Sequence, residues 1–179
     1  MRPIPLSIVI MGVSGSGKST IGQLVAASLA CPYLEGDAFH SVENIAKMSR
    51  GIPLDDIDRW PWLDRLGTAL GEAASQNGCA IAACSALKRS YRDRLRHMTQ
   101  SSVAFVHLTT NRHELDRRLR ARPGHYMPPS LLDSQLASLE PLGDDELSSS
   151  FDGAVAATLL VERISGWIGS LNLKDQDAG

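Results

Sequence analysis

The sequence predicts a three-layer α/β fold: a parallel sheet of four to five strands flanked by helices. Three observations lead there. Short apolar runs of strand length alternate with segments whose apolar residues recur at helical spacing. A glycine-rich stretch, residues 12–19, joins the first such run to the first helical segment. Turn signals such as Asn77-Gly78 fall between the periodic segments. Alternation of this kind favours parallel strands, because parallel neighbours need a long crossover that a helix supplies. A length of 179 residues suits one domain spanning 1–179.

Residues 6–11 are an apolar run with the character of a buried strand. Residues 20–29 carry Ile21, Leu24, Val25 and Leu29 at helical spacing. Residues 32–35 form a weak second strand, and 41–49 a polar helix. A longer helix is expected over 58–75, with Pro61 in its first turn. Residues 79–84 are the third strand, 88–97 a helix and 103–108 the fourth strand. A basic helix over 112–121 precedes a loop at 122–129 with three prolines and one glycine. Helices follow at 131–139 and 153–168, and residues 174–179 are a polar tail. Between those helices, residues 147–153 are short and poor in β-branched residues.

Residues 12–19 read Gly-Val-Ser-Gly-Ser-Gly-Lys-Ser and fit the phosphate-binding pattern G-x-x-x-x-G-K-[ST] without mismatch. Its setting, strand then loop then helix, is the one the motif requires. Gly12, Gly15 and Gly17 permit positive φ and close approach of backbone to an anion. Together with Val13, Ser14 and Ser16 they form a nest of inward N–H groups, reinforced by the positive end of the next helix. Lys18 can reach the β- and γ-phosphates, and the Ser19 hydroxyl can ligate Mg²⁺. The pattern assigns ATP binding to Gly12, Val13, Ser14, Gly15, Ser16, Gly17, Lys18 and Ser19, with Mg²⁺ at Ser19. The fold is then a P-loop fold of the kinase type.

Composition narrows the partner. Lys plus Arg number 18 and Asp plus Glu 20, a net charge of −2, which argues against nucleic acid and membrane surfaces as general partners. No apolar run approaches the roughly 20 residues of a membrane-spanning helix. Cys31, Cys79 and Cys84 are odd in number and form no C-x-x-C pair. Reduced thiols in a cytoplasmic protein are therefore expected, not a disulfide framework. No apolar strand ends in an Asp of the Walker B type, and no N-K-x-D guanine motif occurs. A small-molecule phosphotransferase is the remaining class.

Ligands of such sheets gather beyond the carboxyl ends of the strands, which singles out the loops after them. Asp37, after the second strand, is placed to align an acceptor hydroxyl or take its proton; His40 falls close by. Lys88, Arg92 and Arg96 recur every four residues and share a helix face. Lys88 lies at a helix start, where a cation is disfavoured unless an anion joins it. Arg59 begins another helix and either holds substrate or pairs with Asp55 or Asp56. The arginines at 112, 117, 118, 120 and 122 precede the proline-rich loop, as a short lid over about 117–128 requires. Arg118 and Arg122, one turn apart, are expected to face the phosphates and neutralise transition-state charge.

These residues carry a resemblance. The loop at 12–19, then Glu35-Gly36-Asp37-Ala38-Phe39-His40, Asn44-Ile45-Ala46-Lys47-Met48, the run from Gly51 to Leu63, Cys84-Ser85-Ala86-Leu87-Lys88-Arg89-Ser90-Tyr91-Arg92 and Arg118-Leu119-Arg120-Ala121-Arg122-Pro123-Gly124-His125-Tyr126-Met127 are similar to gluconate kinases of the thermoresistant type. The resemblance runs from about residue 8 to 141. It implies a nucleoside-kinase-like P-loop fold, transfer from ATP to O6 of gluconate and a homodimer. By position it makes Asp37, Arg59, Lys88 and Arg92 substrate residues, with Lys18 and Ser19 holding phosphate and Mg²⁺; His40, beside Asp37, is a further substrate candidate, and Lys18, Asp37, Arg118 and Arg122 are the catalytic candidates. The chain departs from that pattern at Glu35, where related kinases carry Asp, and at residues 147–153, where the resemblance implies a Val/Ile-rich fifth strand and a truncated one is expected. Adenylylsulfate kinase, shikimate kinase and a nucleotide-binding regulator that transfers nothing are the competing readings.

Overall fold

The computed structural model describes residues 5–121 and 129–174. Its sheet has five parallel strands in the order β2-β3-β1-β4-β5: β1 (Leu6–Met11), β2 (Tyr33–Glu35), β3 (Cys79–Ala83), β4 (Ser102–Thr109) and β5 (Ser148–Asp152). The helices are α1 (Lys18–Leu29), α2 (Val42–Ser49), α3 (Asp56–Asn77), α4 (Arg89–Thr99), α5 (Arg112–Ala121), α6 (Pro129–Ser138) and α7 (Ala157–Lys174). Chain order reverses around the central β1, which pairs with β3 on one side and β4 on the other. That reversal opens a crevice at the carboxyl ends of the strands.

Every residue of β1 is buried, and its side chains alternate between two cores. Val9 and Met11 join Trp62, Leu63, Leu66, Leu70 and Leu95 from α3 and α4. Ile8 and Ile10 join Ile21 and Val25 of α1 and Leu160, Ile164 and Ile168 of α7. A smaller third cluster packs Val13 and Leu87 against Leu115 of α5 and Leu132 of α6. It sits where the glycine loop meets the segment after the lid, which matters below. No described helix is long and apolar enough to cross a membrane.

Three expectations are corrected here. First, β5 is not truncated: it runs five residues and pairs in register from Phe105↔Ser148 to Thr109↔Asp152. An edge strand can form on ladder hydrogen bonds and one apolar anchor; here Phe151 meets Trp167 edge-on at 6.2 Å. Second, Cys31 and Cys79 are joined as a disulfide, with Cα atoms 5.8 Å apart, while Cys84 is free and buried. The pairing of Tyr33 with Ile81 fixes the reason: stepping two residues back along both parallel strands brings the cysteines side by side. Third, α3 begins at Asp56 under a capping box in which the Asp55 and Asp58 side chains take each other's backbone N–H. Pro61 therefore lies in the second turn, not the first.

Candidate active site

Gly12, Gly15 and Gly17 have φ of 144°, 83° and 97°. All three lie in the left-handed half of conformational space that side chains disfavour. At Gly12 a Cβ would also come 2.8 Å from the Leu108 carbonyl oxygen, so the loop packs directly on β4. Gly17 is the N-cap of α1 and has no side chain to cap it. The first helical bond is Ile21 N–H to Gly17 O, which leaves the Ser19 and Thr20 N–H groups to an outside acceptor. The Ser16 hydroxyl is buried without a hydrogen-bond partner among the described residues. Orphaned donors around a helix start are what a phosphate chain satisfies. The Lys18 ammonium reaches back to the Val13 carbonyl at 3.0 Å. Ser19, in the first turn, offers a single hydroxyl, which fits a Mg²⁺ held by phosphate oxygens, waters and one side chain.

The turn after β2 is a 3-10 segment, Gly36–Phe39. Glycine is required at 36, because a Cβ there would lie 2.1 Å from the Ala83 carbonyl oxygen. The Trp62 indole N–H donates to the Gly36 carbonyl at 2.7 Å, and the Arg65 guanidinium donates to the Phe39 carbonyl at 2.7 and 3.1 Å. So α3 pins the turn that carries the exposed Asp37. Beside it, His40 stacks on Trp62 with ring centroids 4.1 Å apart. Burial drives its pKa down to about 4, with the Arg59 and Arg65 charges adding to the fall and Asp37 opposing it. His40 is therefore a neutral imidazole at physiological pH. Cys84, at the end of β3, is pushed up to about 12 by burial, and its thiol feels Asp37, Lys18 and Arg59. Those three charges thus converge on the carboxyl end of β3. Upstream, the Tyr33 hydroxyl donates to Glu35 at 2.8 Å, which occupies the acid that departs from the family pattern.

The acceptor side is built around Tyr91. The Lys88 ammonium lies 5.3 Å and the Arg59 guanidinium 5.4 Å from its ring centroid. Lys88 also bonds Asp56 at 2.8 Å, and the Tyr91 hydroxyl donates to the same Asp56 oxygen. These hydrogen bonds, from Lys88 and then from Tyr91, hold the Asp56 carboxyl below its usual range. The Arg59 guanidinium gives one N–H to the Leu54 carbonyl and makes no other side-chain hydrogen bond among the described residues. Two cations, one of them with an open fork, therefore lie against one aromatic ring.

Arg92 is not part of it. The stripe of Lys88, Arg92 and Arg96 divides: Lys88 turns to the cleft, while Arg92 is wholly buried. Its guanidinium makes a bidentate pair with Glu146 at 2.7 and 3.0 Å. Its remaining donors go to the carbonyls of Ala86, Leu87, Glu140 and Pro141. No N–H is left for a substrate carboxylate, so the assignment of Arg92 to substrate binding is withdrawn. Arg96 also reaches Glu146, at 2.8 Å.

Arg118 touches the phosphate loop, but from outside. It donates to Glu114, to the Ser16 carbonyl at 3.3 Å and to the Gly153 carbonyl at 2.7 Å. It braces the loop against the turn after β5 in this arrangement. Arg122 and most of the 117–128 lid lie outside the described residues. The site residues that sequence reasoning missed are Tyr91, Asp56 and Trp62. Tyr91 was within reach, since it lies three positions after Lys88 and shares its face.

The chain matches the AAA domain family model over residues 8–142. It is 49% identical over 142 residues to "Gluconokinase" of Gluconobacter oxydans (strain 621H), covering 79% of each chain. It is 39% identical over 160 residues to "Thermoresistant gluconokinase" of Escherichia coli (strain K12), covering 86% of this chain and 91% of that one. A solved gluconokinase from Sinorhizobium meliloti 1021 superposes with a TM-score of 0.85 at 44% identity, over 98% of this chain and 99% of that one. An APS kinase from Mycobacterium tuberculosis, at 18% identity and a TM-score of 0.64, shares the fold alone. Set beside a phosphate loop, an acid-bearing turn and a paired-cation pocket, identities of this size over most of the chain place it in the gluconokinase family of P-loop kinases.

Proposed function

We propose that this chain transfers the γ-phosphoryl group of ATP to O6 of D-gluconate, giving 6-phospho-D-gluconate and ADP for sugar-acid catabolism. The observation that carries this reading is the pairing of Arg59 and Lys88 on one Tyr91 ring, in the same crevice as Asp37. Gluconate has a carboxylate at one end and a primary hydroxyl at the other. Arg59 and Lys88 bind the carboxylate; Asp56, already on Lys88, keeps that cation in place. His40, uncharged, offers hydrogen bonds to the chain of hydroxyls between. Asp37 then meets O6. It accepts the hydroxyl proton as O6 bonds to the γ-phosphorus and the bond to the β,γ-bridging oxygen breaks. Lys18 and the loop N–H groups stabilise the charge that moves onto the phosphate oxygens. Mg²⁺, held at Ser19, supplies further charge neutralisation on the β- and γ-oxygens when bound.

ADP release from MgATP, measured against gluconate, related aldonates, shikimate and adenylylsulfate, tests the reading. Turnover with gluconate well above the others is expected. Turnover with another acceptor alone, or ADP release indifferent to any acceptor, would sink it. The reading also takes the enzyme to be a cytoplasmic homodimer. Val42 and Ile57 are 78% and 79% exposed, apolar surface that a second copy would cover. Light scattering should give twice 19.3 kDa; a monomer mass would exclude the dimer.

A further inference from the structure

One contact of the phosphate loop is not explained by nucleotide binding. The Ser14 backbone N–H donates to the side-chain oxygen of Gln135 at 2.7 Å, across 121 residues of sequence. Gln135 lies on α6 between Leu132 and Leu136, and these leucines, with Leu139 just after the helix, pack with Val13 of the loop and Leu87 beside Lys88. The peptide unit that donates through Ser14 is the one whose carbonyl, on Val13, accepts from the Lys18 ammonium at 3.0 Å. In a trans peptide the N–H and the C=O point in opposite directions. Gln135 therefore grips this peptide from the side away from Lys18, and the peptide's rotation is set by both ends at once.

We propose that Gln135 is a positioning residue for phosphoryl transfer, acting through the Val13–Ser14 peptide on Lys18. A peptide held at its N–H has its carbonyl aimed, and hydrogen bonds in such a chain polarise one another. The amide of Gln135 thus fixes the acceptor that parks the Lys18 ammonium beside the phosphates. The Ser16 N–H also donates to the Val13 carbonyl, at 3.2 Å; without Gln135 that turn bond alone resists the peptide's rotation, and the acceptor that aligns the lysine is held less firmly. The same contact ties that alignment to α6, the helix after the lid segment, and so to the packing of Leu87 next to the acceptor-binding Lys88. The inference rests on the phosphoryl-transfer reading of Lys18, but not on the identity of the acceptor.

Two near-isosteric variants separate positioning from packing. Gln135→Leu removes the acceptor; Gln135→Glu retains an oxygen that can take the Ser14 N–H. Gln135→Leu should lower kcat about tenfold, the scale of one lost hydrogen bond at a buried donor. Its gluconate KM should be unchanged, and its melting temperature should fall by no more than the roughly 2–12 °C that one orphaned donor costs. Gln135→Glu should recover kcat to within about threefold of wild type. Calorimetric binding of a non-hydrolysable ATP analogue supplies a readout that needs no acceptor: Gln135→Leu should weaken it in the wild-type background and have no further effect in Lys18→Ala. Wild-type kcat in Gln135→Leu, equal losses in the Leu and Glu variants, or additive losses with Lys18→Ala would each overturn the proposal. Absence of gluconate turnover in the wild type, with the non-additive binding result intact, would count against the acceptor and leave Gln135 in place.

Discussion

Each residue of the phosphate loop has one chemical job, which is why those residues are legible one at a time. Lys18→Ala should reduce kcat by at least about a hundredfold, the scale of a lost charge-stabilising donor; near-normal turnover would show that the lysine is not at the phosphates. Asp37→Asn separates alignment from binding. Its kcat should fall about a hundredfold or more, while calorimetry shows ATP-analogue affinity within about twofold of wild type. Arg59→Ala and Lys88→Ala should instead raise the gluconate KM, each about tenfold or more, as loss of a charged hydrogen bond does; unchanged KM in both would empty the carboxylate pocket. Arg92 shows where residue-scale reading stops. Spacing of four residues says that Lys88, Arg92 and Arg96 share a face, but not that Glu146, 54 positions away, waits to bury the middle one. His40 was marked by position only, and its protonation state needed the structure. Its pKa is lowered to about 4, so the unfolded chain holds more protons on it between about pH 4 and 6.5. Its contribution to stability is complete above the unfolded value and is lost as pH falls toward the folded one. Urea midpoints should therefore show a shallower fall below pH 6.5 in His40→Phe than in wild type.

Strands and helices were legible because their periods are local; what joins them was not. The turn bearing Asp37 depends on Trp62, whose indole N–H holds the Gly36 carbonyl from the middle of α3. Trp62→Phe keeps a ring for His40 but removes that donor, along with some buried volume. It should lower kcat severalfold with little change in ATP affinity, and an unchanged kcat would mean that the turn holds its shape without α3. The Cys31–Cys79 bond is a second junction invisible to spacing. The two residues are 48 apart in sequence, and the register of β2 on β3 brings them together. It fastens the three-residue edge strand that leads into Asp37. Closing a loop of that length is worth about 4 kcal/mol in the chain-entropy model. Reductant, or Cys31→Ser, should therefore lower the melting temperature by roughly 8–16 °C, and should do so without altering kcat at 25 °C, since the bond lies at the opposite end of β3 from the site. A melting curve indifferent to reductant would show the pair to be dithiol in solution. β5 fits the same lesson: composition argued against it, while pairing with β4 and one aromatic contact sufficed.

At the scale of the molecule, the cleft is held by a buried ion pair remote from the chemistry. Arg92 of α4 and Glu146, in the segment leading to β5, have no exposed side-chain surface. Through Arg92 the carbonyls of Ala86 and Leu87, just before Lys88, are tied to those of Glu140 and Pro141, just after α6. Ala86 is one of the few non-glycine residues with positive φ, at 45°, a conformation that persists where its surroundings over-determine it. The acceptor loop and the α6–β5 connection thus share one anchor. Removing one member of such a pair leaves a buried charge alone, at about 3–5 kcal/mol. Glu146→Gln should accordingly lower the melting temperature at pH 7 by about 6–20 °C. Arg92→Met should cost more, because it also takes the side-chain donor from the carbonyls of Ala86, Glu140 and Pro141. Burial alone would raise the Glu146 carboxyl; hydrogen bonds from Arg92 and the Gly143 amide, with the charges of Arg92 and Arg96, outweigh it and bring it below its usual 4.5. The sign follows. The pair's contribution is fully present above pH 4.5 and is lost as pH falls through the lower folded value. Wild type should therefore lose stability steeply below pH 4.5, and Glu146→Gln, already deprived of the pair, should lose less over that range. Parallel acid profiles for the two proteins, or a Glu146→Gln melting temperature within about 2 °C of wild type at pH 7, would show that the cleft is held together by its apolar clusters alone.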